Sequence, residues 1–211
     1  MGASHGTDAQ PFLLHERGGQ DAVKDIPDAD LKRFPIEYAS WDDAQLFLER
    51  LNKQEPSAGW VYRLPKADEW EYACRGGPLS DKLDSAFYFD FDKLTNQLLP
   101  NQANFAPEPG KGLQRTCKVG SYQPNRLGLY DMHGNVHEWC DDDAKSGDGT
   151  SLRLRLGGDW HDDAANSRAL SRDALSPSHR EHGIGLRLAR VHVGPAKPKP
   201  VATTPSAPAS N

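Results

Sequence analysis

The chain has 211 residues, of which 36% are hydrophobic, and it carries a formal net charge of -5. This length is sufficient for one domain with a sizeable core and is marginal for two. Acidic and basic residues are interspersed without a Lys/Arg block, which argues against nucleic acid or an anionic membrane as partners. We find no stretch as apolar as a transmembrane helix and no signal-peptide pattern, so we expect a soluble cytoplasmic protein.

The first predicted element is a helix over residues 41–52, after a polar stretch over 1–33 that we expect to be poorly ordered. Ser40 can cap this helix by accepting a hydrogen bond from the backbone of Asp43, whose acidic side chain suits a capping box. Apolar residues then recur at helical spacing. We therefore predict a single domain over residues 34–193.

A short strand over residues 61–64 and a second helix follow the first helix. Pro65 is suited to the first turn of the second helix, which we expect to extend to Cys74. Gly76 and Gly77 can end it because glycine adopts positive φ at little cost.

The rest of the chain is predicted to be mostly ordered loop. Aromatic residues are scattered among Pro, Asn and Gly over residues 79–130 without periodicity. Residues 151–156 and 183–190 alternate small or apolar residues with basic ones, so we predict two strands that pair in one antiparallel sheet. Residues 194–211 are rich in Pro and Ala and are predicted to form a disordered tail.

The chain contains three cysteines, Cys74, Cys117 and Cys140. They form neither a paired disulfide framework nor a metal-binding spacing. We expect them to be reduced and to behave as small buried hydrophobic side chains.

Six sequence blocks occur in order between residues 34 and 190. They are FPIEYASWDDAQLFLERLN, YRLPKADEWEYACRGG, NQANF, VGSYQPNRLGLYDMHGNVHEWCDD, LRLGGDW and IGLRLAR. Together they resemble the formylglycine-generating enzyme, or sulfatase-modifying factor, family. The resemblance implies an α+β fold of the C-type lectin-like type, loop-rich and low in regular secondary structure. Family members usually begin further upstream, so we expect the amino-terminal part of the domain to be missing.

The resemblance also locates the family's copper site. Its oxidases convert the cysteine of a Cys-x-Pro-x-Arg substrate to formylglycine, with Cu(I) held by two cysteines that follow a GGSW-like block. That block is GGDW at residues 157–160 here, and the cysteine positions fall on Asp162 and Ser167. Because a carboxylate and a hydroxyl are poor ligands for soft Cu(I), we expect no copper and no catalytic residues of this type.

A structural calcium site is implied by the same resemblance. Its ligands would be the carboxylates of Asp131 and Glu138 and the main-chain carbonyls of Gly134 and Val136. Carboxylates and carbonyls are the oxygen ligands that calcium prefers. The alternative is that the two acids only cap turns around a buried Trp139.

A second calcium site of the family would use the side chain of Asn104 and the carbonyl of Phe105. Lys111 stands where a further acidic ligand is expected. The resemblance therefore supports this second site less well than the first.

Two pairs of histidines have spacings that would align metal ligands on a helix, His133 with His137 and His179 with His182. Both pairs lie in segments flanked by Gly or Pro, so we expect solvated loop histidines instead. The acidic run beside His161 could suggest acid–base chemistry, but no nucleophile is paired with it.

Four arginines recur through the last part of the domain, and we expect some to be buried against carboxylates and loop carbonyls. They are Arg168, Arg172, Arg180 and Arg187.

Two functions are compatible with these observations. The first is a catalytically degenerate domain that displays loops to bind an unknown peptide, protein or small-molecule ligand. A variant, diversified ligand display on the same fold, is less well supported because few Asn or Tyr residues occur between 160 and 187. The second is an oxidoreductase of the formylglycine-generating or iron-dependent sulfoxide synthase type, which would need a partner domain to supply iron ligands.

Overall fold

The computed structural model describes residues 23–56, 59–78, 86–89 and 96–194. Within these ranges the chain forms three helices and six strands. The helices are α1 (Asp28–Leu31), α2 (Trp41–Gln54) and α3 (Ala67–Cys74); the strands are β1 (Trp60–Arg63), β2 (His137–Lys145), β3 (Ser151–Leu156), β4 (Arg172–Leu175), β5 (Ile184–Gly185) and β6 (Ala189–His192).

The strands form two sheets. One has four strands in the order β4-β3-β2-β5, and the other pairs β1 with β6. Strand β5 runs parallel to β2, with His137 opposite Ile184, whereas the other neighbours are antiparallel. The core packs on both faces of β2, with Trp139 in one buried cluster and Cys140 in another.

The prediction of one strand over residues 183–190, paired with 151–156, is wrong. The segment divides into β5 and β6, which belong to different sheets, and the partners of β3 are β2 and β4. The division coincides with Arg187, which lies between the two short strands and directs its guanidinium to the buried carboxylate of Glu138. Strand β2 itself was not predicted.

The predicted capping box of α2 is confirmed. The Ser40 hydroxyl accepts a hydrogen bond from the Asp43 N–H at 3.1 Å, and the Asp43 carboxylate accepts one from the Ser40 N–H at 3.0 Å. The same carboxylate is paired with Arg180, at 2.7 Å from its Nε. The box therefore also connects the start of α2 to the loop before β5.

Helix α1 lies inside the stretch predicted to be poorly ordered. Its Asp30 pairs with Lys118 at 2.9 Å, and the backbone of Arg33 accepts a hydrogen bond from Val119. These contacts with a distant loop order a segment that has no clear periodicity of its own. Residues 1–22 and 195–211, on which the other predictions about the termini rest, lie outside the described residues.

The two helix-ending glycines adopt the predicted positive φ values, 77° at Gly76 and 101° at Gly77. None of the helices in the described ranges is long and apolar enough to cross a membrane.

Replacing Asp43 by Asn should destabilise the protein by about 1 kcal/mol at neutral pH, because the capping box and the Arg180 pair are both weakened. Arg180 and then Ser40 hold the pKa of Asp43 at about 2, below its usual 3.8. The difference in free energy of unfolding between the wild type and the variant should therefore be complete above about pH 4 and disappear as the pH falls toward about 2.

Urea unfolding of both proteins across this pH range measures the difference. The matched control is Asp42→Asn, which removes a charge from the same first turn without touching the box. Equal losses in the two variants would show that only the helix dipole is involved.

Candidate functional site

The carboxylate of Glu138 is buried in β2, with 5% of the residue exposed. Its Oε2 accepts hydrogen bonds from Trp70 Nε1 at 2.6 Å and from Arg187 Nε, and its Oε1 accepts one from Arg187 Nη2 at 2.7 Å. Arg187 also donates to the carbonyl of Tyr130 at 3.1 Å. The charge of this predicted calcium ligand is therefore balanced by an arginine of the chain itself.

The other residues of the predicted calcium loop lie close by. Asp131 has a positive φ of 55°, and its carboxylate accepts a hydrogen bond from the Gly120 N–H at 2.8 Å. Burial raises the pKa of Asp131 above its usual value. Asp131, Val136 and Glu138 line one cleft of about 610 Å³, together with Arg187. A calcium ion in this cleft would compete with the guanidinium for Glu138.

Asn104 lies against the turn at Gly134. Its main-chain carbonyl is so close that a Cβ at Gly134 would come within 2.3 Å of it, and Gly134 has a φ of +77°. The Asn104 amide donates to the Arg115 carbonyl at 2.9 Å and to Asn135 Oδ1 at 3.1 Å. Its Oδ1 is buried and has no hydrogen-bond partner among the described residues. Such an oxygen fits the ligand chemistry of a hard cation.

A second group of polar side chains lies where β2 begins and β3 ends. His137 is 6% exposed, and its Nε2 lies 2.7 Å from Asp162 Oδ2. Asp159 completes the group, and one ligand atom from each of the three residues lies within 4.8 Å of the others. Asp159 Oδ1 accepts hydrogen bonds from the N–H groups of His161 at 2.7 Å and Asp162 at 3.0 Å.

The two carboxyl groups of this cluster have different electrostatic surroundings. Burial, together with the charge of Asp162, raises the pKa of Asp159 to about 6. Burial acts in the same direction on Asp162, but the hydrogen bond and charge of His137 outweigh it and lower the pKa of Asp162 below its usual value. The cluster thus contains one carboxyl group with a lowered pKa, Asp162, and one with a raised pKa, Asp159.

Gly183 allows these residues to approach one another. It has a φ of +78°, and a Cβ there would lie 2.1 Å from Asp159 Oδ2. Its carbonyl accepts the His137 N–H at 2.7 Å, while its own N–H donates to Glu37 at 3.0 Å. Any larger residue at 183 would displace Asp159, so a glycine is required here.

The prediction that His133 and His137 are solvated is wrong, since both are buried. His133 Nδ1 donates to the Ser167 carbonyl at 2.8 Å, and Nε2 accepts from the Tyr88 N–H at 2.9 Å. Burial lowers the pKa of His133 to about 4, so this ring is neutral and structural. By contrast, His179 is 40% exposed at its side chain and is paired with the Glu181 carboxylate.

Sequence reasoning missed the contact of His137 with Asp162 and the role of Asp159. The available signal was that Asp159 replaces the Ser of the GGSW-like block and Asp162 replaces a cysteine, so two acids were introduced close together. Asp163, which was weighed for acid–base chemistry, instead caps the next turn by accepting from the Ala165 N–H.

The second copper position and the three thiols are also buried. Ser167 Oγ donates to the Asp163 carbonyl at 3.2 Å. Burial raises the pKa of Cys117 to about 11 and raises those of Cys74 and Cys140 further. The thiols are therefore protonated at neutral pH, in agreement with the prediction of small buried side chains.

A family model, the sulfatase-modifying factor enzyme 1-like domain, matches residues 13–192. The chain belongs to this family. The inactive C-alpha-formylglycine-generating enzyme 2 of Bos taurus is 31% identical over 169 residues, covering 74% of this chain and 50% of that protein. The formylglycine-generating enzyme of Streptomyces coelicolor is 31% identical over 177 residues, covering 74% and 52%. This sulfatase-modifying factor domain thus spans about half the length of those two relatives.

Solved structures of similar fold confirm the predicted α+β class. CarF superposes with a TM-score of 0.61 at 27% identity, covering 77% of this chain and 69% of that chain. PvdO from Pseudomonas aeruginosa gives a TM-score of 0.57 at 32% identity, covering 75% and 62%. The loop-rich, lectin-like fold of the sulfatase-modifying factor family is therefore present.

The copper site of the sulfatase-modifying factor oxidases is not reproduced by the residues at its positions. Asp162 presents a carboxylate that is bonded to His137, and Ser167 presents a hydroxyl that is bonded to a main-chain carbonyl. Soft Cu(I) requires thiolate or thioether ligands. The residues at these two positions do not fit that ion.

Replacing Arg187 by Met should cost about 3–5 kcal/mol, because it leaves the Glu138 carboxylate buried without a counter-charge. The double variant with Glu138→Gln should lose much less than the sum of the single losses. Urea unfolding in the presence of chelator measures the free energy of unfolding of the two single variants and the double variant.

The control is Arg172→Met, because Arg172 is exposed and pairs with Asp68 and Glu71 at the surface. Its loss should stay within about 1 kcal/mol. If the losses in free energy of unfolding at positions 138 and 187 are strictly additive, the two side chains do not stabilise the protein through each other.

Proposed function

We propose that this domain is a catalytically degenerate sulfatase-modifying factor domain that acts in recognition and does not oxidise cysteine with copper. The observation that carries the proposal is the pair of oxygen side chains at the copper positions, each engaged within the protein. Two relatives, from Bos taurus and Mus musculus, are themselves named inactive C-alpha-formylglycine-generating enzymes. Their names support the view that this fold can be retained without the oxidase chemistry.

The cleft beside β2 is the surface that best suits a ligand. It combines a carboxylate at Asp131 with apolar side chains such as Ile36 and Leu186. A second, mostly apolar groove of about 290 Å³ shares Ile36 and Leu186 and extends to Phe47 and Leu188. Ile36 and Phe47 are each about half exposed, at 51% and 50%. Such an apolar surface with a few polar groups suits a peptide, protein or small-molecule ligand.

A calcium ion is proposed to support this cleft through Asp131 and Glu138, with main-chain carbonyls of Gly134 and Val136. The lining of the cleft by Asp131, Val136 and Glu138 supports it, because carboxylates and main-chain carbonyls are the oxygen ligands that calcium prefers. The Asn104 Oδ1, which has no hydrogen-bond partner among the described residues, would belong to the second calcium site. When bound, the ion would supply structural stabilisation and no catalytic chemistry.

The proposed loss of oxidase function predicts that a Cys-x-Pro-x-Arg peptide, incubated with the protein, Cu(I) and dioxygen, is recovered unchanged. The protein should also retain no stoichiometric Cu(I) after desalting, because neither Asp162 nor Ser167 offers a thiolate. Mass spectrometry of the peptide and elemental analysis of the protein give the two readouts. The formylglycine-generating enzyme of Streptomyces coelicolor serves as the positive control. An aldehyde product or one bound copper per chain would refute the proposal.

The calcium proposal predicts that the wild-type melting temperature rises between excess chelator and millimolar calcium. A ligand that binds only the native state adds about 2.7 kcal/mol at a hundredfold excess over its dissociation constant. Asp131→Asn and Glu138→Gln should each reduce this response, and their effects should not add, because both act on one ion.

The control variant for calcium is Asp143→Asn, in the solvent-exposed part of β2, where the side chain is 72% exposed. It should keep the full response. If the wild-type curve is unmoved by calcium, the two acids serve only the Arg187 pair and the turn at Gly120.

A further inference from the structure

The group formed by His137, Asp159 and Asp162 is already arranged by the backbone. The His137 N–H is fixed by the Gly183 carbonyl, and Asp159 Oδ1 accepts two main-chain N–H groups. Asp162 Oδ2 accepts the Asp159 N–H at 3.1 Å in addition to its contact with His137. Each side chain is therefore held in place by contacts that do not depend on a bound ligand.

The charge of this group is not balanced by an arginine or lysine in contact with it. Among the described residues, the ion-pair partner of Asp162 is His137, and Asp159 has none. The charge of Arg155 acts on Asp162, but this arginine is paired with Asp173 at 2.6 Å. The two carboxyl groups of this cluster thus lack the arginine partner that Glu138 has.

A buried nitrogen of the group also lacks a partner. His137 Nδ1 is inaccessible to solvent and has no hydrogen-bond partner among the described residues. Leaving a buried polar atom unsatisfied costs about 1–3 kcal/mol. Unlike His133, whose two ring nitrogens are both satisfied by main-chain atoms, His137 directs Nε2 to Asp162 and leaves Nδ1 without a partner among the described residues.

We propose that His137, Asp159 and Asp162 bind a divalent transition-metal ion of the zinc or iron(II) class. The ligand atoms lie within 4.8 Å of one another. Donors around such an ion, at about 2.0–2.2 Å from it, are separated by roughly 3–3.5 Å. The His137–Asp162 pair, at 2.7 Å, must therefore open slightly, and the other separations, which are within 4.8 Å, must shorten by roughly 1 Å. The Asp162 side chain is 23% exposed, which provides a path from solvent.

The donor set selects the class of ion. Imidazole is a good ligand for zinc, iron(II), cobalt and nickel, whereas calcium prefers six to eight oxygens. Soft Cu(I) is disfavoured because the group contains no sulfur. Three protein ligands leave at least one coordination position for water or an exogenous ligand, as in zinc sites that are open to substrate.

This metal site is distinct from the calcium proposed at Asp131 and Glu138, and it does not rest on the proposed recognition function. His137 and Glu138 are adjacent in β2, and successive side chains of a strand point to opposite faces. The two sites can therefore be separated by mutation.

The test uses Co²⁺ as an optical probe, added to the full chain after treatment with chelator, followed by competition with Zn²⁺. The wild type should bind one Co²⁺ per chain, with visible ligand-field bands that Zn²⁺ removes. Asp162→Asn is isosteric and partly exposed, so it should fold normally and weaken binding by at least about tenfold. His137→Gln and Asp159→Asn should weaken binding at least as much, and thermal unfolding in chelator verifies that each is folded.

Matched controls lie next to the ligands in sequence. His161→Gln and Asp163→Asn change the same residue types at exposed neighbouring positions and should keep the Co²⁺ affinity of the wild type. Asp131→Asn should also keep it, so failure of the calcium proposal would leave this result unaffected.

Three results would overturn the proposal. One is no binding of Co²⁺ or Zn²⁺ by the wild type at one equivalent. Another is binding that persists unchanged in Asp162→Asn and His137→Gln, which would place the ion elsewhere, for example on exposed His179. The third is a near-ultraviolet thiolate-to-cobalt charge-transfer band, which would show that a cysteine is the ligand.

Discussion

The ion pair between the buried carboxylate of Glu138 and the partly buried guanidinium of Arg187 is the constraint on which much of this structure depends. It joins β2 to the last part of the domain, and Trp70 of α3 donates to the same carboxylate. Burying one charge alone would cost several kcal/mol, so the two elements must meet in this geometry. Arg187, which is held at Glu138, lies where this segment divides into β5 and β6, and the two strands belong to different sheets.

Strand β2 carries Glu138 of this ion pair and, next to it, His137 of the proposed metal-binding group. Its first four residues, from His137 to Cys140, are all buried. Glu138 is directed to Trp70 and Arg187, and its neighbour His137 contacts Asp162. The Glu138 carboxylate is thus neutralised within the protein, whereas in the part of the chain that the structure describes the ion-pair partner of Asp162 is a histidine and Asp159 has none. This difference in counter-charge is why we propose the transition-metal site at the second group and expect Arg187 to compete with any calcium ion at the first.

Local patterns in the sequence predicted the local parts of the fold. The capping box at Ser40, the helix through Trp70 and the strand at 151–156 depend on residues close together in the chain, and all three are present. Strand β2 escaped prediction because a strand buried on both faces does not alternate. The contact between His137 and Asp162 spans a sequence separation that spacing rules do not address. The copper positions were found only through the family's motif, and the structure then placed a histidine beside one of them.

We propose that this sulfatase-modifying factor domain presents oxygen and imidazole ligands where the oxidases of the family hold Cu(I) with thiolates. Elemental analysis of the protein, purified without added metal and without chelator, tests it most directly. We expect no stoichiometric copper, and any retained metal should be calcium or a divalent transition metal of the zinc or iron class. One copper ion per chain would contradict it.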